Sequence, residues 1–366
     1  MLNTYIAGQI YAKISFDATV SQKKVVENLS EYLSSPGYSS IFILNGYAGT
    51  GKTTLIAALV QVLRAMNIPC VLLAPTGRAA KVLAQYSGTE AHTIHKRIYR
   101  QRTNADYESK YSLDINREKG CVFIVDETSM LSDSTTAGQI FGSGSLLEDR
   151  ITYVRSGRQC RLILVGDDAQ LPPVGADRSP ALDAAAMRSY GEVVYSSMTD
   201  VVRQDAASGI LRNATALRQM LERGEVEVPH IDLNYPDIES IGGGEFLECL
   251  EDAYARYGRD ETIVITRSNK RANRFNEGIR RYILSAEEQI ESGDRLMVVK
   301  NNYYYTERME KSPMSFIANG DIALLKRIRR FEDFYGFHFA DAILSFGDYG
   351  DTEIECKILL DTLSSE

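Results

Sequence analysis

A glycine-rich segment ahead of a predicted helix carries the clearest chemistry in the sequence. Residues 46–53 read Gly-Tyr-Ala-Gly-Thr-Gly-Lys-Thr and match the pattern G-x-x-x-x-G-K-[ST] at every fixed position. Glycines let such a loop turn its backbone N–H groups toward phosphate at a helix N-terminus. Lys52 would meet the β- and γ-phosphates, and the Thr53 hydroxyl would be a ligand of Mg²⁺. The segment, called the phosphate loop below, predicts a nucleoside triphosphate site.

Two carboxylates follow the apolar run Cys121–Val125, where a buried strand would end. Asp126 is placed to hold the Mg²⁺ shell, and Glu127 is placed to orient or deprotonate an attacking water. An acidic helix cap is the alternative interpretation of this pair. The phosphate loop upstream favours the catalytic interpretation.

A third segment with candidate functional residues follows the apolar run Arg161–Val165. Residues 166–175 read Gly-Asp-Asp-Ala-Gln-Leu-Pro-Pro-Val-Gly. Its Gln170 can bond a γ-phosphate oxygen or the hydrolytic water. The two prolines stiffen the loop, which suits transmission of the nucleotide state to a neighbouring surface. We predict a sensor role for Gln170.

The apolar runs that precede these segments alternate with helical patterns. Strands are predicted at 41–44, 70–74, 121–125 and 161–165, and helices at about 21–33, 52–65 and 79–85. Continuous β-branched runs between helices indicate a parallel sheet covered on both faces. Ligands bind at the carboxyl ends of such strands, so we expect the polar strand ends to form one site.

Composition indicates a globular protein of two or three domains, with 366 residues, 44% hydrophobic and 25% charged. The sequence has no apolar run long enough for a membrane span and no secretory signal pattern near residues 1–20, so cytoplasmic localisation is expected. The net charge of −8 comes from residues 331–366, which hold nine acidic residues and one lysine. The remaining residues balance, which is compatible with a nucleic-acid groove.

The second half of the chain and one insertion have different patterns. Residues 96–120 break the alternation and predict an inserted hairpin or small subdomain, with a solvated loop as the alternative. Helices are predicted at 209–223, 245–257 and 270–282, and a strand at 262–266. Short β segments at 293–299, 322–325, 340–344 and 353–360 indicate a small barrel or sheet insertion.

The motifs GYAGTGKT, APTGRAAKVL, AHTIHK, VDETSML, VGDDAQLPPVG and VVRQ, in this order, resemble those of superfamily 1 DNA helicases of the RecD/Dda type. The resemblance covers about residues 16–325. It implies two RecA-like P-loop NTPase domains of α/β class at 1–197 and 198–366. A wedge hairpin would be inserted at about 96–120, and a β-rich SH3/OB-like insertion would begin at about 326. It also implies 5′→3′ movement on single-stranded DNA driven by ATP and Mg²⁺.

The family's nucleotide-site residues carry over to matching positions. Gln22 corresponds to a glutamine that reads the adenine edge, and Arg203 matches an arginine that reaches the γ-phosphate from the second domain. The implied catalytic residues are Lys52, Asp126, Glu127, Gln170 and Arg203. The implied nucleotide-binding residues are Gln22, Gly49, Thr50, Gly51, Lys52, Thr53 and Thr54, with Thr53 and Asp126 as Mg²⁺ ligands.

The resemblance also implies a surface that binds the DNA strand. Its residues would be Pro75, Thr76, Arg78, Thr93, His95, Thr266 and Asn269, and either Tyr99 or Tyr107 would stack at the hairpin. Hydroxyls and helix N-termini that hold phosphates bind without regard to base sequence, as a translocase requires. The implied partners are single-stranded DNA, duplex junctions and DNA-repair or recombination proteins, with the protein itself a monomer.

The sequence departs from the family in one respect. Two further motifs, one that binds DNA and one with a second γ-phosphate arginine, are expected after the β-rich insertion and are not found before Glu366. We therefore expect the second RecA-like domain to be incomplete. The alternative functions are a DNA-stimulated ATPase motor subunit of an exonuclease complex and an ATP-gated DNA-binding module without turnover.

Overall fold

Apolar runs in the first 200 residues form a parallel sheet in the computed structural model. The strands, numbered along the chain, are β1 (Ile41–Gly46), β2 (Cys70–Ala74), β3 (Ala91–Thr93), β4 (Tyr99–Thr103), β5 (Ser109–Leu113), β6 (Val122–Val125), β7 (Arg161–Gly166) and β8 (Val193–Met198). Six of them join one sheet in the order β3-β2-β6-β7-β1-β8, with every neighbouring pair parallel. The predicted α/β class is confirmed.

Helices cover the sheet. The helices of this part are α1 (Leu2–Lys13), α2 (Val20–Ser34), α3 (Lys52–Ala65), α4 (Gly77–Ser87), α5 (Ile94–Ile98), α6 (Leu146–Ser156), α7 (Ala184–Met187) and α8 (Gly209–Arg223). The four that were predicted in this part of the chain (α2, α3, α4 and α8) have bounds close to the predicted ones. The structure describes residues 2–14, 16–103, 109–131, 142–173, 175–200, 208–225, 227–300, 302, 304–307, 314, 317 and 319–363. Among the described helices, none is long and apolar enough to cross a membrane.

Alternate residues of the strands face two separate apolar clusters, as the period of a strand requires. On β1, Phe42 and Leu44 pack with side chains of α1, α2, α3 and α4. Ile41 and Ile43 pack on the other face with side chains of α5 and α6. Because both faces are buried, the strands are apolar without alternation. Packing on both faces therefore fixes the positions of the loops at the carboxyl edge of the sheet.

The C-terminal turn of α2 is tied to β7 through one hydroxyl. Tyr32 is buried, and its hydroxyl accepts the Leu162 N–H at 3.1 Å and lies 2.9 Å from the Leu162 carbonyl oxygen. Burial raises the pKa of this phenol well above its usual value. The guanidinium of Arg161 lies 5.3 Å from the centre of the same ring.

Tyr32→Phe should therefore destabilise the protein, because it leaves buried backbone groups of Leu162 with one fewer partner. The expected loss in the free energy of unfolding is about 1–3 kcal/mol, measured by urea denaturation. Tyr5→Phe is the matched control, since Tyr5 is 55% exposed. Equal losses in the two variants would contradict the stabilising role of the Tyr32 hydroxyl.

The insertion between β3 and β6 contains the predicted hairpin. Strands β4 and β5 pair antiparallel, with Tyr99 opposite Leu113 and Thr103 opposite Ser109. The hairpin prediction is confirmed at the level of the backbone. Tyr107 lies at 104–108, outside the described residues.

The chain divides into two compact units, Met1–Pro229 and His230–Glu366. The second unit holds α9 (Phe246–Tyr257), α10 (Asn269–Gly278) and α11 (Tyr304–Glu307), and an antiparallel sheet of β9 (Arg295–Met297), β10 (Ile322–Phe334), β11 (Phe337–Phe346) and β12 (Thr352–Leu359) in the order β12-β11-β10-β9. The predicted β-rich insertion is present. The domain boundary predicted after residue 197 stays a prediction.

The strand predicted at 262–266 is wrong. These residues are irregular, and Ile263 and Ile265 are 82% and 87% exposed. A β-rich run becomes a strand only when another strand supplies hydrogen-bond partners, and none of the described strands pairs with this run. The apolar run alone could not indicate whether such a partner exists.

Candidate active site

The phosphate loop joins β1 to α3 and has the backbone conformation that its glycines permit. Gly49 and Gly51 have φ angles of 79° and 89°, in the left-handed region that favours glycine. Thr50 is fully buried, and its hydroxyl donates to the Tyr47 carbonyl at 2.7 Å. At Gly46 a Cβ atom would lie 2.9 Å from Met198 Cβ, so β8 packs directly against the start of the loop.

Lys52 begins α3, and its ammonium group lies at the mouth of the loop. It donates hydrogen bonds to the carbonyl oxygens of Gly46 and, at 2.9 Å, Tyr47. Asp167 Oδ2 lies 3.7 Å away. Burial lowers the pKa of Lys52, and Asp167 opposes that change. Thr53 and Thr54 follow in the first turn of α3, the former half-buried and the latter exposed.

Asp126 and Glu127 follow β6, as predicted, and both are half-buried. Burial raises the pKa of each carboxyl, and the Asp126 charge raises that of Glu127 further. Lys52 lowers both pKa values, so its charge acts on this pair. Glu127 has a φ of 54°, a conformation that costs a residue with a Cβ on the order of 1 kcal/mol. The structure therefore holds a strained carboxylate with a raised pKa, on which the charge of Lys52 acts.

The end of β7 brings Asp167 into the same region. Asp167 is buried, whereas Gln170 is exposed, three residues further on. The backbone N–H of Asp168 donates to Asn45 Oδ1 at 3.1 Å, and Asn45 Nδ2 donates to the Tyr195 hydroxyl at 3.0 Å. Asn45 therefore ties the loop after β7 to β1 and β8.

Sequence reasoning assigned no role to Asn45 or to the ion pair of Lys52 with Asp167. The signal for Asn45 was an amide at the end of an otherwise apolar run, immediately before Gly46. Tyr47 was missed as well. Its hydroxyl donates to Glu222 of α8, and the Arg218 guanidinium lies 5.0 Å from its ring centre.

Gln22 lies in the first turn of α2, beside the phosphate loop. Its Nε2 donates to the Thr50 carbonyl at 2.9 Å, and its Oε1 accepts the Thr19 N–H at 2.9 Å. The adenine contact predicted for Gln22 stays a prediction.

The predicted DNA-binding residues of the first unit lie at the carboxyl ends of β2 and β3. Thr76 caps α4 by accepting the Ala79 N–H at 3.2 Å, and Thr93 caps α5 by accepting the Lys96 N–H at 3.3 Å. Burial lowers the pKa of His95, and its ring centre lies 5.8 Å from that of Tyr99. Pro75 is half-buried and Arg78 is exposed.

Three predicted site residues remain. Thr266 and Asn269 belong to the second unit, where the Thr266 hydroxyl donates to the Ser268 carbonyl at 3.1 Å and Asn269 begins α10. Arg203 lies at 201–207, outside the described residues. Their roles stay predictions.

A phosphate loop that follows β1 of a parallel sheet, with carboxylates at the ends of the next two strands, β7 and β6, defines the class of P-loop nucleoside triphosphatases. The family described as "AAA domain" matches residues 18–228, more than half of the chain, and the chain belongs to it. The relatives below place it with superfamily 1 helicases of the RecD/Dda type, so the resemblance drawn from the motifs is confirmed.

The ATP-dependent RecD2 DNA helicase of Deinococcus radiodurans is 29% identical over 228 residues, which are 61% of this chain and 27% of that protein. The ATP-dependent DNA helicase dda of Enterobacteria phage T4 is 25% identical over 293 residues, 75% of this chain and 59% of that protein. The chain thus spans less than two thirds of either relative. Pif1 helicase from Candida albicans aligns over 94% of this chain and 79% of its own at 15% identity, with a TM-score of 0.37.

Proposed function

We propose that this chain couples ATP hydrolysis to 5′→3′ movement along single-stranded DNA, as the motor of a DNA helicase. The observation that carries the proposal is the arrangement at one sheet edge. There the phosphate loop, the Lys52–Asp167 ion pair at 3.7 Å and the Asp126–Glu127 pair follow the adjacent strands β1, β7 and β6. The similarity to two ATP-dependent DNA helicases, RecD2 and dda, supports this proposal.

The residues at this edge fit a magnesium nucleotide. The left-handed Gly49 and Gly51 and the α3 N-terminus suit an anion, and the half-buried carboxylate of Asp126 suits a hard cation. The proposed nucleotide-binding residues of the loop are Gly49, Thr50, Gly51, Lys52, Thr53 and Thr54. Thr53 and Asp126 would hold Mg²⁺, which when bound neutralises charge on the phosphates.

The chain's own groups would then act as follows. Lys52 would exchange its bonds to the loop carbonyls for bonds to phosphate oxygens. Glu127, whose pKa is raised by burial, is a better proton acceptor than an exposed carboxylate and would orient or deprotonate the attacking water. Gln170 would bond that water or the γ-phosphate, and Arg203 would stabilise charge in the transition state.

The proposed DNA surface consists of helix N-termini and polar side chains. Thr76 and Thr93 cap the N-termini of α4 and α5, where backbone N–H groups and the helix dipole attract phosphate. Pro75, Arg78 and His95 complete the proposed surface of the first unit, and the β4–β5 hairpin is the proposed wedge at a duplex junction. On the second unit, Thr266 and Asn269 are proposed to contact the DNA strand. We place this activity in the cytoplasm and in a monomer.

Single-stranded DNA is expected to raise the ATPase rate of the chain. A forked duplex with a 5′ tail is expected to be unwound in an ATP-dependent reaction, and the same fork with a 3′ tail is not. Phosphate release measures the ATPase rate, and strand separation on labelled forks measures unwinding. An ATPase rate indifferent to DNA would refute the motor, and unwinding from the 3′ tail alone would refute the direction.

A further inference from the structure

The β4–β5 hairpin depends on the body of the first unit for its position. Ile98, which ends α5, and Tyr99, which begins β4, lie in the apolar cluster that also contains Leu147 of α6. On the returning strand, Leu113 packs against the same cluster, and the Asp114 N–H donates to the Ile98 carbonyl at 2.7 Å. A two-stranded hairpin is only marginally stable by itself, so these contacts at its base hold it in place.

One buried hydrogen bond joins the first residue of the hairpin to α6. Tyr99 is 8% exposed, and its hydroxyl donates to Asp149 Oδ2 at 2.7 Å. Asp149 is buried as well, and the same oxygen accepts the Ser143 N–H at 3.0 Å. Burial and the bond to Asp149 raise the pKa of Tyr99 well above its usual value, so the phenol keeps the proton that it donates. A hydrogen bond to a carboxylate is roughly twice as strong as one between neutral groups.

The chain that precedes α6 encloses this pair. A Cβ atom at Gly142 would lie 1.8 Å from Asp149 Oδ2 and 2.7 Å from Tyr99 Cε1, so a residue larger than glycine does not fit there. Gly142 also has a φ of 49°, in the region that favours glycine. The Tyr99 ring is therefore placed to hold the hairpin, whereas stacking on a base requires a ring with an exposed face.

The chain that leaves the hairpin is bonded to the same helix. Asn116 is buried, and its Nδ2 donates to the Tyr153 carbonyl at 3.0 Å. Its Oδ1 accepts the Glu118 N–H at 3.0 Å, which fixes the amide in this orientation. Tyr153 lies one helical turn beyond Asp149 on α6. Both segments that carry the hairpin are thus attached to α6, which packs on the sheet.

We propose that Tyr99 and Asp149 are positioning residues that fix the base of the hairpin on α6, and that strand separation depends on their hydrogen bond. The inference rests on the proposed function, in which the hairpin is the wedge at a duplex junction. A wedge separates strands only if it resists displacement by the duplex that is moved against it. Without the bond, the hairpin is displaced instead, while ATP hydrolysis at the phosphate loop continues. Loss of the bond therefore uncouples unwinding from ATP hydrolysis.

Asp149→Ala removes the acceptor of the Tyr99 hydroxyl. We expect it to slow unwinding of a fork with a 5′ tail by about tenfold and to keep the ATPase rate with single-stranded DNA within about twofold of the parent. Amide hydrogen exchange at 99–103 and 109–113, measured without DNA or nucleotide, should become faster. Tyr99→Phe removes only the hydroxyl and should also slow unwinding and speed exchange. Asp149→Asn keeps an oxygen acceptor and should restore most of both properties.

Tyr32→Phe is the matched control, because it removes another buried tyrosine hydroxyl of the first unit, one bonded to β7. It should leave the ratio of unwinding rate to ATPase rate unchanged. The proposal is overturned if unwinding and ATPase fall in parallel in Asp149→Ala and Tyr99→Phe, or if hairpin exchange in both equals that of the parent. If the parent does not unwind the fork, the proposed function fails together with the expected effect on unwinding. The exchange measurement then still decides whether the pair holds the hairpin.

Discussion

Lys52→Ala is expected to weaken binding of magnesium ATP by about a hundredfold. A charged hydrogen bond to phosphate contributes on the order of 3 kcal/mol, and this substitution removes the ammonium group at the mouth of the phosphate loop. The measurement is an equilibrium titration with a fluorescent ATP analogue at fixed Mg²⁺. Lys24→Ala is the matched control, since Lys24 is an exposed lysine on α2.

The same substitution should also lower the stability of the protein. The Asp167 side chain is 3% exposed, and Lys52 is its cation at 3.7 Å. Without Lys52, the negative charges of Asp167, Asp126 and Glu127 lose the cation that partly compensates them. Circular dichroism of Lys52→Ala at the titration temperature therefore accompanies the binding measurement. A folded variant that binds the analogue as tightly as the parent would exclude the role assigned to Lys52.

Glu127→Gln is expected to retain nucleotide binding and to lower the ATPase rate by about a thousandfold. The glutamine keeps the shape of the side chain but has no carboxylate to accept a proton, and general base catalysis is typically worth a factor of 10²–10⁴. Single-turnover hydrolysis and the titration described for Lys52 measure the two effects separately. Equal losses of binding and of turnover would show that Glu127 acts on the bound nucleotide rather than on the water.

Glu127→Gln should also raise the melting temperature at neutral pH. The folded state raises the pKa of this carboxyl, so its stabilising contribution is complete below the usual value of 4.5 and is lost as pH rises through the folded value. A neutral amide in place of the Glu127 carboxyl does not titrate, so the variant does not lose this stability as the pH rises. The gain should be absent below about pH 4.5 and should grow as the pH rises above it.

Thermal denaturation of Glu127→Gln and of the parent across this pH range tests the sign. Glu31→Gln is the control, because Glu31 is exposed on α2 and lies outside the proposed site. A gain that is largest at acid pH would contradict a raised pKa for Glu127. Stability and turnover are thus expected to change in opposite directions, as they do where an active site holds strained or buried charge.

Much of the candidate site could be predicted without coordinates. The phosphate loop has a fixed pattern, and the polar residues of Asp126–Glu127 and 166–170 directly follow apolar runs. Because carboxyl ends of parallel strands share one edge of a sheet, those segments had to meet once the strands were recognised. The predicted bounds of β2, α3 and α8 coincide with those of the structure.

The wrongly predicted strand and the unpredicted role of Asn45 have the same cause. The run 262–266 has strand composition but no described partner strand, and Asn45 acquires its role from groups on β7 and β8. Hydrogen bonds between segments far apart in the chain depend on how elements pack, and composition and periodicity carry no record of that packing.

By itself, the sequence determined the chemistry of this protein: a phosphate loop, two strand-end carboxylates and the parallel sheet that brings them together. Only the tertiary structure decided which polar groups are free to act. Gln22 could have faced a base or the protein, because a glutamine amide bonds equally well to either. In the structure the Gln22 amide bonds the Thr50 carbonyl and the Thr19 N–H, since an amide enclosed in the fold must bond nearby backbone groups or lose hydrogen-bond energy.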